Sequence, residues 1–143
     1  MSGVENIGVR IIQGDRRAEP SDAVWAILHE IAAQLTALVT QGEASAIDLR
    51  RLPLAPGDYE KLKNWLGTGE VTAMVDALGP THLQETRFAG VWWVTHCNLE
   101  EEIVGELIEV TACPEILQAN LDDIRLGLEG LQLQLQKRKV TKR

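Results

Sequence analysis

Five side chains in this sequence have the chemistry to bind a soft metal ion or to act as a nucleophile: Cys97, Cys113, His29, His82 and His96. None of them forms a C-x-x-C, C-x-x-H or H-x-x-x-H pair, the spacings that are common in metal sites. Neighbouring strand residues point to opposite faces, so His96 and Cys97 cannot share one metal ion without distortion. The sequence therefore predicts neither a resident metal nor a cofactor.

Two interpretations of the cysteines stay open. In the first, Cys97 and Cys113 handle metal or redox chemistry, because Cys113 precedes Pro114, the predicted first residue of a final helix. A helix N-terminus favours the reactive thiolate form of a cysteine. In the second, both are ordinary apolar cysteines of a protein interior.

Gly67-Thr68-Gly69 has the glycine content of a phosphate-binding loop. Such a loop needs Lys and Ser or Thr after its last glycine, and then a helix. Here Glu70 and Val71 follow and lead into a predicted strand, and the Glu70 carboxylate would repel a phosphate. The segment is therefore predicted to be a turn. No serine lies in a nucleophile elbow, and no pair of carboxylates is singled out, so the sequence predicts no catalytic residue.

Trp92 and Trp93 are consecutive on a predicted strand, so their rings leave opposite faces of the sheet. One ring can enter the core beneath the helices, and the other must be covered by the chain itself or by another molecule. The sequence has only four Trp, one Tyr and one Phe, and Trp is enriched among the residues that dominate protein interfaces. The outward ring is therefore a candidate anchor for a partner, with cover by the chain itself as the alternative.

Hydrophobic periodicity predicts three helices and five strands. The separators between the four later strands are short, which requires antiparallel neighbours. The expected fold class is α+β, with an antiparallel sheet of about four to five strands and the N-terminal and C-terminal helices packed on it. The predicted elements are a helix from Ser21 or Asp22 to Gln41-Gly42, a strand Ser45–Leu52, a helix from Pro56 through Trp65, strands Val71–Leu78, Thr81–Phe88, Val91–Cys97 and Ile103–Ala112, and a final helix that begins at Pro114.

The predicted final helix has the leucine spacing of a coiled coil. Its apolar residues alternate four and three apart over three heptads, while Leu126 and Leu133 lie off that row. The row can dock on the sheet of its own chain or form the seam of a homodimer, and both interpretations stay open. The residues of the row are Leu117, Leu121, Ile124, Leu128, Leu131 and Leu135.

The chain of 143 residues is long enough for one domain with its own core. We predict a flexible leader at 1–20, with a short extended piece at Val9–Ile12, a single domain at 21–136 and a basic tail at 137–143. Five of the 14 Lys and Arg lie in that tail, which leaves 9 against 21 Asp and Glu in the preceding residues. A body this acidic repels phosphate backbones and anionic lipid, so nucleic acid is not an expected partner.

The sequence contains no run of about 18 apolar residues, so we predict no membrane insertion. The first ten residues, MSGVENIGVR, have no apolar segment typical of a signal peptide. Together with two cysteines only, these features predict a cytoplasmic protein with reduced thiols.

Four segments form an ordered series of motifs: Ile47-Asp48-Leu49, Leu66-Gly67-Thr68-Gly69-Glu70-Val71, Glu85-Thr86-Arg87-Phe88-Ala89-Gly90-Val91-Trp92, and Ile108-Glu109-Val110 followed by Pro114. The series resembles the conserved domain of the HupH/HyaF hydrogenase expression and formation proteins. That resemblance implies a non-enzymatic chaperone or scaffold in the maturation of [NiFe] uptake hydrogenase. The implied partners are the immature iron–sulfur small subunit or other hydrogenase maturation proteins. Long members carry two copies of the domain and this chain has one, which implies either a homodimer that rebuilds the two-domain unit or a reduced form of the family.

The resemblance also implies roles for the motif residues. Three of them, together with the adjacent Trp93, are expected to face a partner: Glu85, Thr86, Trp92 and Trp93. The others are expected to be mainly structural, with glycines that permit turns or close approaches. This second set comprises Gly67, Gly69, Glu70, Val71, Phe88, Gly90, Glu109 and Pro114.

Overall fold

The computed structural model describes residues 19–141, so most of the predicted leader, including Val9–Ile12, and the last two residues of the basic tail lie outside it. The chain divides into two compact units, one ending at Ala112 and one beginning at Cys113. The elements are α1 (Asp22–Gln41), β1 (Ser45–Asp48), α2 (Pro56–Leu66), β2 (Thr72–Asp76), β3 (Pro80–Glu85), β4 (Val91–Cys97), β5 (Ile103–Val110) and α3 (Leu121–Thr141).

The five strands form one antiparallel sheet in the order β1-β5-β4-β3-β2. The predicted α+β class, with N-terminal and C-terminal helices and a five-stranded antiparallel sheet, is confirmed. Four of the five predicted strands are longer than the observed ones, and Val91–Cys97 alone has the predicted bounds. The largest excess is at the first strand, where the predicted Ser45–Leu52 ends at Asp48. The Asp48 carboxylate there accepts a hydrogen bond from the Arg50 N–H at 3.1 Å, and Leu49–Arg51 form a 3₁₀ turn.

The main core lies between the sheet and the helices α1 and α2. Helix α1 buries Val24, Ile27 and Ile31, which recur at helical spacing on one face. Trp93 and Ile108 are paired across β4 and β5 and belong to the same core. Apolar side chains on two helices and two central strands therefore fix how α1 and α2 lie on the sheet.

The N-terminal ends of α1 and α2 are joined by a hydrogen-bonded pair. The Ser21 side chain caps α1 by accepting from the Val24 N–H, and its hydroxyl donates to the Asp58 carboxylate at 2.9 Å. Asp58 in turn accepts from the Ala55 N–H at 2.9 Å and so caps α2. One buried carboxylate thus holds the two helix starts together and sets the separation of the two helices at that end.

This arrangement predicts that protonation of Asp58 at acid pH lowers the free energy of unfolding. The hydrogen bonds from the Ala55 N–H and the Ser21 hydroxyl hold the pKa of Asp58 below its ordinary value of 3.8. The ionised carboxylate therefore stabilises the folded state. This stabilisation is complete above pH 3.8 and is lost as the pH falls through the lowered folded-state pKa. Urea unfolding of wild type and Asp58→Asn should show free energies of unfolding that differ most near neutrality and converge below about pH 4. A difference that is independent of pH would contradict this assignment.

Helix α1 also has the length and composition of a membrane span, with a mean hydropathy of 1.4 over an 18-residue window of its 20 residues. The prediction of no membrane insertion was based on uninterrupted apolar runs, and this helix has none of sufficient length because polar residues interrupt it. In this structure its apolar face belongs to the core through Val24, Ile27 and Ile31. A core helix that packs one face on a sheet can have the same length and apolar composition as a membrane span.

The second unit corrects the predicted start of the final helix. Pro114 does not begin the long helix but precedes a 3₁₀ turn, Glu115–Leu117, which is closed by a hydrogen bond from the Leu117 N–H to the Pro114 carbonyl at 3.0 Å. Asn120 is the actual cap, since its side-chain oxygen accepts from the Asp123 N–H at 2.8 Å. Helix α3 then runs to Thr141, through the first residues of the predicted basic tail.

Candidate functional site

Three of the exposed aromatic residues come together on the first unit. Trp25 of α1, Trp65 of α2 and Phe88, which follows β3, are 39%, 37% and 39% exposed. The Trp25 and Trp65 rings meet edge to face with their centroids 5.8 Å apart, and Trp65 stacks on Phe88 at 6.2 Å. Such pairs are favourable beyond the area they bury, so the three rings support one another.

These rings form one wall of an apolar depression of about 280 Å³, here called the aromatic groove. Helix α1 supplies most of the other lining residues, His29 among them. Water in such a groove has few hydrogen-bond partners, so replacing it with an apolar side chain is favourable. The groove is lined by Trp25, Leu28, His29, Ile31, Ala32, Leu35, Trp65, Leu66 and Phe88.

Arg87 holds the groove's third ring in place. Its backbone N–H donates to the Leu66 carbonyl at 2.9 Å, and its guanidinium donates to the Trp65 carbonyl at 2.8 Å. The same guanidinium carbon lies 5.5 Å from the centroid of the Phe88 ring, within cation–π distance. Arg87 therefore ties the end of α2 to the segment after β3, and the rings keep their positions without a ligand.

The two longer motif runs of the sequence meet beside this groove. The Gly69 N–H donates to the Glu85 carbonyl at 2.7 Å, and the Glu85 N–H donates to the Val71 carbonyl at 2.9 Å. A Cβ atom on Gly69 would lie 2.5 Å from the Thr86 carbonyl oxygen, and Gly67 has φ +67° with Arg87 atoms equally close. Gly69 therefore permits a close approach of two backbones, and Gly67 supplies a left-handed φ beside the Arg87 side chain.

Gly69→Ala should destabilise the protein by about 1–3 kcal/mol, because the new methyl group meets a backbone carbonyl that cannot move aside alone. Gly57→Ala is the matched control, since nothing lies within 4 Å of its Cβ position. That change lies in α2 and should be neutral or stabilising by about 0.5–1 kcal/mol. Urea unfolding of both variants measures the two effects. Equal stability of Gly69→Ala and wild type would contradict the packing argument.

The junction of the two motif runs forms a polar cleft of about 430 Å³ next to the groove, lined in part by Glu70, Glu85 and Arg87. Of the residues expected to face a partner, Glu85 lies in this cleft and is half-buried. Thr86 is only 2% exposed. Its hydroxyl accepts from the Phe88 N–H at 3.1 Å and donates to the Phe88 carbonyl, so it shapes the turn that carries the ring.

Trp92 and Trp93 are each only 5% exposed, so the expectation of an outward anchor at this pair is wrong. The Trp93 indole N–H donates to the Glu106 carboxylate at 2.9 Å, and that of Trp92 donates to the Thr111 carbonyl at 3.1 Å. The prediction assumed that one sheet face is open, whereas Val94 is fully buried on the same face as Trp92.

The remaining motif residues have varied surroundings. Gly90 has φ +89°, and its carbonyl accepts from the Thr111 N–H at 2.9 Å, which fits the expected tight bend. Glu109 lies opposite Trp92 across β4 and β5 and is half-buried. Glu70 and Val71 are exposed, and Pro114 is buried.

The candidate thiols lie in different units. Cys97 is half-buried at the end of β4, and Cys113 is exposed at the start of the second unit. His96 lies 2.8 Å from the Thr81 hydroxyl. Among residues 19–141, no three His, Cys, Asp or Glu side chains come close enough to hold a metal ion. Metal or redox handling by the two thiols stays a prediction.

Sequence reasoning missed the aromatic groove. The helical periodicity of the sequence places Trp25 within the first predicted helix and Trp65 at the end of the second, and it does not relate the two residues. The available signal was that both helices carry a Trp beside, rather than within, the buried row. No local spacing relates these two residues to Phe88, because the three meet only when α1 and α2 lie side by side.

Comparison with known proteins finds relatives of the whole domain. The protein-family model described as the C-terminal conserved region of HupH hydrogenase expression protein matches residues 23–137. The hydrogenase expression/formation protein HupQ of Azotobacter chroococcum mcd 1 is 37% identical over 93 residues, which are 65% of this chain and 32% of that protein. HoxQ of Azotobacter vinelandii is 36% identical over 87 residues, 61% of this chain and 31% of its own length. This chain therefore spans about a third of the length of the curated relatives it matches.

A solved structure gives a fuller match. The hydrogenase expression protein HupH from Thiobacillus denitrificans ATCC 25259 has a TM-score of 0.78 to this chain and 40% sequence identity. The alignment covers 82% of this chain and 98% of that one. Sequence and fold agree over nearly the whole described domain, and the chain belongs to the HupH family of hydrogenase expression proteins.

Proposed function

We propose that this chain is a non-enzymatic accessory protein of hydrogenase maturation, which acts by holding an apolar segment of the immature hydrogenase small subunit in the aromatic groove. The observation that carries the proposal is the exposed ring cluster of Trp25, Trp65 and Phe88. The names of the relatives, hydrogenase expression/formation proteins, support the process. The resemblance of the motif series to the HupH/HyaF domain supports the small subunit as the client.

The groove is suited to binding an unfinished protein. An immature subunit exposes apolar side chains that it later buries, and these are the side chains that such a groove accepts. A volume of about 280 Å³ has room for one or two large side chains, so the contact is with a short segment. Arg87 and the Ser21–Asp58 pair fix the walls beforehand, so little ordering is needed when a client binds.

Charge gives a second reason to favour a protein client. The residues before 137 carry 9 Lys and Arg against 21 Asp and Glu. Glu70 and Glu85 line the cleft that adjoins the groove. Acidic surface beside an apolar groove favours segments in which basic residues flank apolar ones, and it speeds their encounter. We expect such a segment in the part of the small subunit that this chain holds.

Co-purification tests the proposal. A tagged chain, expressed in cells that produce a hydrogenase, should carry with it the small subunit that has not yet joined the large subunit. The matched control is the same tagged chain with Trp65→Ala, which removes the central ring of the groove. No enrichment of the small subunit over that control would overturn the proposal, and so would recovery of the assembled two-subunit enzyme alone.

A further inference from the structure

Helix α3 carries two rows of exposed apolar side chains. The seam row consists of Leu121, Ile124, Leu128, Leu131 and Leu135, and the outer row of Leu126, Leu133 and Val140; each side chain is between 54% and 74% exposed. At about 100° per residue the two rows point in nearly opposite directions. A single partner surface can cover only one of the two rows. When the seam row is buried against a partner helix, the outer row therefore remains available for a different surface.

The charges of α3 select an orientation for such a partner. The first turn carries Asp122 and Asp123, and the last turn carries Arg138 and Lys139. Two parallel copies would place acidic turn beside acidic turn and basic beside basic. Two antiparallel copies place each acidic turn beside a basic one, which is the complementary arrangement.

The seam row fits that orientation in one register. When Leu128 of one copy faces Leu131 of the other, Ile124 of each copy faces Leu135 of the other. Leu121 then lies level with Arg138 of the second copy, outside the paired part of the row. In the same register Asp122 lies within one turn of Arg138 of the second copy. Gly127 lies on one flank of the seam near its midpoint, with nothing within 4 Å of its Cβ position, so no bulky side chain obstructs that flank.

We propose that α3 is a homodimer interface, in which the seam rows of two copies of this chain pack antiparallel with Leu128 facing Leu131. The partner at this surface is a second copy of this chain, because in the antiparallel orientation its charges and its apolar spacing both complement those of the first copy. The contact uses residues of α3 alone, and none of these residues lines the aromatic groove. Its failure in a test would leave the proposed client binding untouched.

The mass of the intact chain by light scattering, over a series of concentrations, tests the interface. The wild type should be dimeric, and Leu128→Asp should raise the dissociation constant by about 100-fold or more, because two carboxylates are then buried in the seam. Leu133→Asp is the matched control from the outer row and should remain dimeric. A monomeric wild type, or equal disruption by both variants, would overturn the proposal.

Cysteine cross-linking tests the orientation. In a background of Cys97→Ser and Cys113→Ser, one chain carries Gly127→Cys and the other Gln134→Cys, two positions on the same flank of the seam. Antiparallel pairing brings 127 of one copy beside 134 of the other, whereas parallel pairing keeps them about 10 Å apart along the axis. A mixed disulfide in preference to the two homodisulfides is expected. Homodisulfides in excess would contradict the antiparallel arrangement.

Discussion

Trp65→Ala is expected to weaken binding of the immature small subunit by about 30-fold or more, because truncating a central interface tryptophan costs at least about 2 kcal/mol. Trp65 contacts both other rings of the groove, with centroid distances of 5.8 Å to Trp25 and 6.2 Å to Phe88. Its removal therefore takes away the contact surface of the client and the support of both neighbouring rings. Titration of purified small subunit with wild type and variant measures the change.

The control for this prediction removes an exposed apolar side chain elsewhere. Met74 lies on the edge strand β2 and is 64% exposed. Met74→Ala should leave the dissociation constant within about twofold of wild type, since single exposed apolar residues are ordinary on protein surfaces. If Trp65→Ala binds the small subunit as tightly as Met74→Ala does, the groove is not the binding surface.

The second large effect concerns stability. Trp93→Ala is expected to lower the free energy of unfolding by about 3–5 kcal/mol, because it empties the space of a buried ring in the core. The ring is 5% exposed, and its N–H is the donor to Glu106. Since domains of this size are stable by about 5–15 kcal/mol, the alanine variant could unfold outright. Trp93→Phe keeps most of the volume and should cost less, about 1–3 kcal/mol, through the lost hydrogen bond to a charged group.

Urea unfolding of Trp93→Phe and Trp65→Ala separates a core residue from a binding residue. The first should lose stability and keep its affinity for the small subunit, and the second should lose affinity, with a loss of stability limited to its two ring contacts. Unchanged stability of Trp93→Phe together with lost binding would restore Trp93 as an anchor and contradict its assignment to the core.

The fold was predictable where local signals act alone. Helix α1 begins after Ser21 and ends before Gly42, as its capping residues indicated, and Gly42 has the left-handed φ of +72° that this end requires. Strand β4 has the predicted bounds Val91–Cys97. Short separators required antiparallel neighbours, and the sheet is antiparallel throughout.

The errors arise where a competing local or tertiary interaction prevails. Pro114 carries the signal of a helix start, but the Leu117 N–H closes a turn on it, and the cap at Asn120 begins the helix instead. For the tryptophan pair, alternation along a strand correctly separates the two rings, yet it does not reveal that both faces of β4 are buried at this pair. Burial depends on elements that are distant in the sequence.

The candidate site was predictable only in part. The motif series identifies the segments around Gly69 and Glu85, and the structure brings those segments together through the Gly69–Glu85 hydrogen bond. The groove itself needs α1 beside α2, which depends on the Ser21–Asp58 hydrogen bond and on the shared core. Neither interaction has a signature in the spacing of residues, so the exposed rings could not be grouped before the fold was known.

Site-directed photocross-linking tests the central claim most directly. A photoreactive phenylalanine analogue placed at Phe88, in the wall of the aromatic groove, is irradiated in cells that produce the hydrogenase. We predict a covalent adduct with the small subunit from position 88 and none from the same analogue at Met74. An adduct from position 74 with none from position 88 would contradict the account, as would the absence of any adduct with the small subunit from position 88.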